Sequence, residues 1–271
     1  MKFAMRPSRV LRRLRAGQVA NLFKVNLADP RVCEIAASFG FDAIWTCMEH
    51  VPNDMRVVEE QVRAAKLWDC DLMCRVMRGS YSDLIRPLEA DAAGIMVPHV
   101  MSLADAAAVV RQTRFQPLGR RPVDGGNADG HYTNVPFSDY LEQANRERFV
   151  VLQIEDPEPL DDLEAIAALP GYDVLFFGPA DFSHAIGKPG KFDDPFLLET
   201  RRRIAEAAVR HGKFAGTVGS PANRQELLDL GYRFVNMGAD VTSLSRYCAE
   251  LAKSIGIDAK DISGQYGQRE K

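Results

Sequence analysis

The chain has 271 residues, of which 46% are hydrophobic, and it carries a formal net charge of −3. A closed barrel of eight strands and eight helices needs roughly 250 residues, so the length allows one such domain and is short for two. The weakly acidic balance speaks against a nucleic-acid partner, which requires a clustered basic surface. No apolar run approaches the ~18 residues that cross a bilayer, so we expect no membrane partner.

The five cysteines lie mostly in apolar runs, and their number is odd. This pattern predicts reduced thiols and a cytoplasmic location rather than a disulfide framework. The arginine-rich N-terminus lacks the apolar segment of a secretory signal. Val10, Leu11 and Leu14 instead recur at helical spacing before Gly17, which predicts a short helix at about 8–16.

Short apolar runs then alternate with segments of helical periodicity. Most of the runs are apolar on both faces, as in strands buried in a parallel sheet. We predict eight strands, at 19–24, 42–47, 70–76, 93–97, 149–154, 173–177, 213–218 and 232–237. The helical segments are 30–39, 54–67, 81–91, 102–112, 159–168, 195–211, 221–230 and 241–255. Asp29, Ser102 and Ser220 stand where helix N-caps are expected.

Eight strands alternating with helices favour the α/β class, and within it a (β/α)8 TIM barrel with eight parallel strands. An open doubly wound sheet is the alternative, although no GxGxxG motif follows the first strand. We expect 1–257 to form a single TIM-barrel domain and 258–271 to be a polar, flexible tail. The irregular stretch 113–136 has the length of a lid or binding loop.

Catalytic groups of a barrel lie at the carboxyl ends of its strands. Polar residues follow four of the predicted strands, and the candidates are Glu49, His50, Arg75, Gln153, Glu155, Asp156 and Asp181. Glu155 and Asp181 form the natural metal pair, because two carboxylates without nearby Cys or His suit Mg²⁺ or Mn²⁺. The alternative is that the two acids are helix caps or surface residues.

The other candidates have chemical roles that depend on their surroundings. Arg75 ends an apolar strand and needs an anionic partner, which is either a developing enolate oxygen or a structural carboxylate. His50 is a candidate general base, although a lone histidine is more often structural. The turn GPADFS opens a helix, so its backbone N–H groups are positioned to hold a carboxylate.

Six segments together resemble one family. They are FDAIWTCMEHVPND, GIMVPHV, PLGRRP, LQIEDPE, LPGYDVLFFGPADFSHAIG and VNMGAD, and they resemble the HpcH/HpaI aldolases, a family of class II, metal-dependent pyruvate aldolases. The resemblance runs in order over most of 17–250. It implies cleavage of 4-hydroxy-2-oxo acids to pyruvate and an aldehyde, a divalent metal (Mg²⁺ or Mn²⁺, with Co²⁺ as a further candidate) and a homo-oligomer, trimeric or hexameric.

The resemblance also implies roles for individual residues. Glu155 and Asp181 match the metal ligands, Arg75 matches the arginine that holds the keto oxygen, and His50 matches the base. Gln153 matches a polar neighbour of substrate and metal. The amides around Ala180 and Asp181 match the cradle for the substrate carboxylate.

Two positions depart from the family pattern. Cys47 stands where many members carry the aspartate that pairs with the base, and a neutral thiol is a weak hydrogen-bond partner. The role of His50 is therefore open, or Glu49 or another acid substitutes. Asp91 stands where a glycine is common, and glycine often serves an unusual backbone angle.

The sequence thus predicts a metal-dependent aldolase, with two alternatives. One is another lyase that passes through an enolate, such as an oxaloacetate decarboxylase or a lyase acting on CoA esters. The other is a barrel that has lost catalysis and serves in binding. We expect aldehyde specificity to depend on 113–136, with Phe182, His184 and His131 as candidate lining residues.

Overall fold

A computed structural model describes residues 2–257. Eight parallel strands close into a barrel in the order β1 to β8. The strands are β1 Ala20–Lys24, β2 Ala43–Cys47, β3 Asp71–Arg75, β4 Gly94–Val97, β5 Phe149–Ile154, β6 Val174–Phe177, β7 Phe214–Val218 and β8 Tyr232–Ala239. This confirms the predicted TIM barrel and all eight predicted strands.

Eleven α-helices lie within the described part of the chain. They are α1 Arg9–Arg15, α2 Pro30–Ser38, α3 Met55–Lys66, α4 Tyr81–Glu89, α5 Leu103–Thr113, α6 Phe137–Glu147, α7 Leu163–Ala168, α8 Pro179–Ala185, α9 Pro195–Arg210, α10 Arg224–Asp229 and α11 Asp240–Ser254. Asp29 and Ser102 cap α2 and α5 through their side chains, as predicted. Ser220 does not cap α10, which begins later, after Asn223.

The barrel interior is filled by large side chains from alternating strand positions, as in other barrels of this type. Trp45 and Phe176 meet edge to face with ring centroids 5.7 Å apart, and Phe149 meets Phe234 in the same way at 5.9 Å. Val10, Leu11 and Leu14 of α1 join this interior cluster. Helix α1 therefore closes the N-terminal end of the barrel, and only the C-terminal end is open as a mouth.

The prediction that 113–136 is a lid or binding loop is wrong for this chain's barrel mouth, because the segment lies at the other end of the barrel. Arg114, at its start, donates to the carbonyls of Gly171 and Arg148, which precede β6 and β5, at 2.7 and 2.5 Å. His131 bonds the Ala4 carbonyl at 2.8 Å. The segment thus lies at the N-terminal end, because it connects a helix to the start of the next strand. Its last part leads into α6, which the sequence reading missed.

Helix α11 differs from the other long helices because its apolar side chains are exposed. The exposed residues follow one helical face and are Val241, Leu244, Tyr247, Leu251 and Ile255. Strands β2 to β6 are buried along their whole length, whereas β1 and β8 are only partly covered. None of the helices in the described range combines the length and apolar character that crossing a membrane requires. The predicted tail, 258–271, falls outside the described residues.

Candidate active site

The predicted site residues all lie at the mouth of the barrel. Arg75 is the last residue of β3, Gln153 lies near the end of β5, and Glu155 follows β5 directly. His50 follows β2, and Asp181 lies in the first turn of α8, just after β6. Because parallel strands of a closed barrel end at one rim, the fold brings these four strand ends to the same opening.

Glu155 is the most deeply buried carboxylate of the mouth, with 1% of the residue exposed. Its Oε1 accepts the backbone N–H of His99 at 2.9 Å, and its Oε2 accepts from the Gln153 amide. A Cβ on Gly178 would lie 2.7 Å from the Glu155 Oε2, so glycine is required there for the carboxylate to fit. Burial raises the pKa of Glu155 to about 7, and the nearby negative charge of Asp181 adds to the rise.

Asp181 is the second carboxylate, and its side chain is exposed at the mouth. Together with Ala180 it occupies the first turn of α8, where backbone N–H groups have no partner within the helix. Ser183 stabilises this turn by donating to the Ala180 carbonyl at 2.7 Å. Asp181 is thus placed to act with Glu155 while its neighbouring amides remain free for an anion.

These oxygen groups fit a hard divalent cation. Glu155 and Asp181 repel each other, and burial disfavours the charge on Glu155, so a cation between them would relieve both penalties. The Gln153 Oε1 is buried and has no hydrogen-bond partner among the residues that the structure describes. Within 2–257 no group of three or more His, Cys, Asp or Glu side chains is arranged to hold a metal. The protein would therefore supply two carboxylates and leave other coordination positions to substrate or water.

Arg75 crosses the mouth toward β2. Its Nε and one terminal nitrogen both donate to the Cys47 sulfur at 3.3 Å. The Arg75 Nε also lies 2.9 Å from the Glu49 Oε2, which makes an ion pair but no aligned hydrogen bond. Burial opposes the charge of Arg75, but the Cys47 sulfur and the Glu49 carboxylate outweigh it and raise its pKa.

The departure at Cys47 changes the surroundings of His50. The Cys47 sulfur accepts the His50 backbone N–H at 3.4 Å and the Arg75 guanidinium, but not the His50 ring. The carboxylate beside the ring is Glu49, whose Oε2 lies 3.5 Å from the His50 Nε2. The side chain of His50 is 56% exposed, so it is accessible from the mouth. Glu49 is thus placed to substitute for the aspartate of the family pattern.

His99 belongs to the site and was missed by the sequence reading. It follows β4, in the segment GIMVPHV, and its backbone adopts φ +48°. Its Nδ1 bonds Asp156 at 2.8 Å, and its Nε2 lies 3.8 Å from both Glu49 and Glu155. Burial opposes the charge of His99, but Asp156 and Glu155 outweigh it and raise its pKa. Its position after a strand was the signal that sequence reasoning had available.

Other candidate residues lie away from the site. Phe182 is fully buried and packs against Phe177 with ring centroids 5.3 Å apart, so its predicted role in lining the substrate space is wrong. His131 is at the opposite end of the barrel, and its predicted lining role in this chain's mouth is wrong as well. Asp91 adopts φ +72° and pairs with Lys66 and Arg148, so it is a structural ion-pair residue at the N-terminal end.

The fold and the site define a class of enzyme: a TIM barrel whose mouth carries two carboxylates, an arginine and a histidine. The sequence model of the HpcH/HpaI aldolase/citrate lyase family matches residues 21–246. The chain belongs to this family and is a carbon–carbon lyase, an aldolase of the family type.

Individual relatives agree with this assignment. The chain is 34% identical over 249 residues to a hydroxypyruvate/pyruvate aldolase of Pseudomonas aeruginosa, covering 90% of this chain and 91% of the relative. It is 31% identical to a 5-keto-4-deoxy-D-glucarate aldolase of Klebsiella pneumoniae, covering 89% of this chain and 94% of the relative. The crystal structure of an HpcH/HpaI aldolase from Desulfitobacterium hafniense superposes with a TM-score of 0.86 at 27% identity, covering 93% of this chain and 97% of that one.

Proposed function

We propose that this aldolase cleaves 4-hydroxy-2-oxo acids reversibly to pyruvate and an aldehyde, with a divalent metal ion as cofactor. Mg²⁺ and Mn²⁺ are the first candidates and Co²⁺ the next. The observation that carries the proposal is Glu155. It is a buried carboxylate beside a second carboxylate, with N–H donors but no lysine or arginine of residues 2–257 paired with it.

Glu155 and Asp181 would hold the metal, with Gln153 next to it. When bound, the metal would supply Lewis-acid polarisation of the substrate ketone. The free backbone amides of Ala180 and Asp181 would accept the substrate carboxylate, as N–H groups in the first turn of a helix do. Together these groups would fix the 2-oxo acid end of the substrate on the β5 and β6 side of the mouth.

Arg75 would donate to the ketone oxygen as negative charge develops there. The guanidinium is already oriented by Cys47 and Glu49, so little reorganisation is needed during the reaction. Arg75 is also close enough to Glu155 for its charge to lower the pKa of that carboxyl. Arg75 and Glu155 are therefore close enough to act on the same part of a bound substrate.

His50 would take the proton of the 4-hydroxyl, directly or through a water molecule. The electron pair of the O–H bond forms the aldehyde carbonyl, the C3–C4 bond breaks, and its electrons form the enolate of pyruvate. Protonation at C3 then gives pyruvate. Glu49, 3.5 Å from the His50 Nε2, would stabilise the imidazolium that results. The name of the Pseudomonas aeruginosa relative, a hydroxypyruvate/pyruvate aldolase, supports pyruvate as one component.

The test is an aldol assay with matched variants. We expect condensation of pyruvate with an aldehyde to require added Mg²⁺ or Mn²⁺ after dialysis against a chelator. We expect Glu155→Gln and Asp181→Asn to lose activity and metal binding together. Asp229→Asn, a control on an exposed acid that ends α10 just before β8 and so lies at the opposite end of the barrel, should leave both unchanged. Full activity after chelation would contradict the proposal.

The same assay separates the alternatives. Release of CO₂ from oxaloacetate without any aldehyde-dependent condensation would favour a decarboxylase. Metal binding without condensation or enolisation of pyruvate would favour a barrel used only for binding.

We also propose that the chain assembles as a homo-oligomer through α11. An exposed apolar helix face and a partly uncovered pair of strands, β1 and β8, occur in the same chain and are complementary in character. If α11 of one copy covers β1 and β8 of a second copy, the exchange is reciprocal and gives pairs. Such pairs favour a hexamer over a trimer. Sedimentation analysis should show a multiple of two, and Leu244→Glu with Leu251→Glu should break the pairs and leave an assembly of at most half that size.

A cytoplasmic location is proposed on the state of the thiols. All five cysteines are free, and four of them are buried. Reduced cysteines are typical of proteins that remain in a reducing compartment.

A further inference from the structure

Lys24 is an interior lysine at the mouth of the barrel. It ends β1, two residues after Leu22 and four after Ala20, both of which face the interior. Since side chains alternate along a strand, Lys24 points inward as well. Its Nζ lies 5.1 Å from the centre of the Trp45 ring, and the Arg75 guanidinium carbon lies 5.3 Å from the same centre. The mouth thus holds two cations against one aromatic ring.

Lys24 forms no salt bridge or hydrogen bond through its side chain with residues 2–257. The two carboxylates whose charge acts on Lys24, Asp240 and Glu49, already have other partners. Asp240 accepts the backbone N–H groups of Asn26, Leu27 and Val241 at 2.7–3.0 Å, and Glu49 is paired with Arg75. Burial lowers the pKa of Lys24, and the charge of Arg75 lowers it further, more than Cys47, Asp240 and Glu49 restore. A partly buried ammonium without a counter-ion is costly, and an arriving anion would remove that cost.

The place of Lys24 in the barrel indicates which part of the substrate it meets. In the closed order of eight strands, β1 lies directly across from β5, which carries Gln153 and leads to Glu155. Under the proposed function, the 2-oxo acid end of the substrate is held on the β5 and β6 side, with Arg75 at the ketone. The far end of the substrate, which leaves as the aldehyde, then extends toward Lys24.

The chemistry of Lys24 selects the kind of anion. A phosphate group usually needs several donors, such as a helix N-terminus or a bidentate arginine. Lys24 provides a single ammonium group beside the Trp45 ring, and one such group is enough to pair with a carboxylate. We propose that Lys24 is a specificity-determining residue that binds a carboxylate on the aldehyde half of the substrate. This inference rests on the proposed aldolase function and adds to it a named residue for selecting acidic aldehydes.

The test compares an acidic aldehyde with its neutral counterpart. Condensation with pyruvate is measured for succinic semialdehyde and for the corresponding primary amide, and in a shorter pair for glyoxylate and glyoxylamide. We expect the wild type to prefer the acid in at least one pair by about 10- to 100-fold in kcat/KM. Lys24→Met should remove that preference by slowing the acid alone, with the amide changed by less than about threefold. Lys24→Arg should retain part of it.

Lys213 provides a matched control. It is also a partly buried lysine over an aromatic ring, 4.3 Å from the centre of Tyr172, and its pKa is likewise lowered by burial. It lies at the start of β7, away from the mouth, so Lys213→Met should keep the wild-type preference. An acid-to-amide ratio that is unchanged in Lys24→Met, or an equal loss with both aldehydes, would overturn the inference.

Hydrogen–deuterium exchange at C3 of pyruvate, measured without any aldehyde, separates this inference from the proposed function. Exchange in the wild type together with an unchanged ratio in Lys24→Met removes only the role of Lys24. Absence of exchange in the wild type removes the aldolase mechanism, and the role of Lys24 with it.

Discussion

The two ends of the barrel use buried charge in opposite ways. At the N-terminal end, Asp71 accepts from the Ser8 hydroxyl at 2.6 Å and from the Val10 N–H at 2.9 Å, and it also pairs with Arg6. Asp42 and Asp91 there are likewise paired with cations of the chain. At the mouth, by contrast, the buried Glu155 carboxylate accepts two N–H groups but pairs with no lysine or arginine of residues 2–257, and the Lys24 ammonium pairs with no carboxylate there.

This difference shows what each end is for. Charges that are saturated within the chain stabilise the fold, and breaking a buried pair costs stability. Charges left incomplete cost stability in the free protein and become useful only when a ligand completes them. The comparison therefore predicts that substitutions at the N-terminal end reduce stability, whereas substitutions at the mouth reduce activity.

The largest effect is expected for Asp71→Ala. Loss of this fully buried carboxylate leaves Arg6 and the start of α1 without their buried partner, so the free energy of unfolding should fall by about 3–5 kcal/mol. Urea denaturation measures the change. Asp69→Ala is the control, because Asp69 pairs with Arg6 and Arg12 at the surface and should contribute less than about 1 kcal/mol. Equal losses of unfolding free energy in the two variants would mean that the buried pair stabilises the fold no more than the surface pair does.

Next comes Arg75→Met, which should reduce kcat by about 10²- to 10³-fold, since one donor to the developing oxyanion is lost. Its unfolding free energy should fall by less than about 2 kcal/mol, because the burial of the Arg75 charge is itself costly and the Glu49 carboxylate left behind still reaches solvent. Arg148→Met, which breaks the buried pair with Asp91, should do the reverse and cost about 3 kcal/mol of stability. Steady-state kinetics and urea denaturation of both variants measure these effects. The comparison between the two ends would be contradicted if Arg75→Met mainly lost stability and Arg148→Met mainly lost activity.

Glu155→Gln should stabilise the metal-free protein in a manner that depends on pH. The pKa of Glu155 is raised from 4.5 to about 7, so folding favours its protonated form. Its penalty is absent below the ordinary pKa of 4.5, grows as the pH rises, and is complete above about 7. The advantage of the variant should therefore increase between pH 5 and pH 8, by up to about 3 kcal/mol. Thermal unfolding in chelator measures it, and an advantage independent of pH would contradict the burial argument.

The smallest effect is expected for His99→Asn. Asparagine tolerates the left-handed backbone of this position, and its N–H still bonds Glu155, but the link from the ring to Asp156 is lost. The variant also removes the ring Nε2, which lies 3.8 Å from the proposed ligand Glu155, so Mn²⁺ should bind about 10-fold more weakly. Calorimetric titration with Mn²⁺ tests this. Unchanged affinity would show that His99 only shapes the loop.

Much of the barrel was predictable from the sequence because parallel strands buried on both faces leave an unmistakable apolar signature. Helix α6 was missed although Phe137, Tyr140, Leu141 and Ala144 follow helical spacing. Without that helix, 113–136 looked like a free loop, and its place at the N-terminal end could not be recognised. The assignment of 1–257 to one domain stays a prediction.

The site was predictable as a set of strand-end residues, but not as a set of contacts. That Glu49 rather than Cys47 lies beside the His50 ring depends on side-chain directions that no local pattern encodes. His99 and Lys24 each carried a signal, a polar residue after an apolar strand and a charge on an inward position. Their importance depends on what the opposite strands present, which is a property of the closed barrel.

The most direct test of the central claim, that Glu155 and Asp181 hold a divalent metal which supports formation of the pyruvate enolate, is proton exchange at C3 of pyruvate. Nuclear magnetic resonance in D₂O follows the loss of the methyl signal without any aldehyde present. The account predicts exchange in the wild type with Mg²⁺ or Mn²⁺, none in chelator, and none in Glu155→Gln or Asp181→Asn at any metal concentration. Exchange that continues in chelator, or in either variant at the wild-type rate, would contradict it.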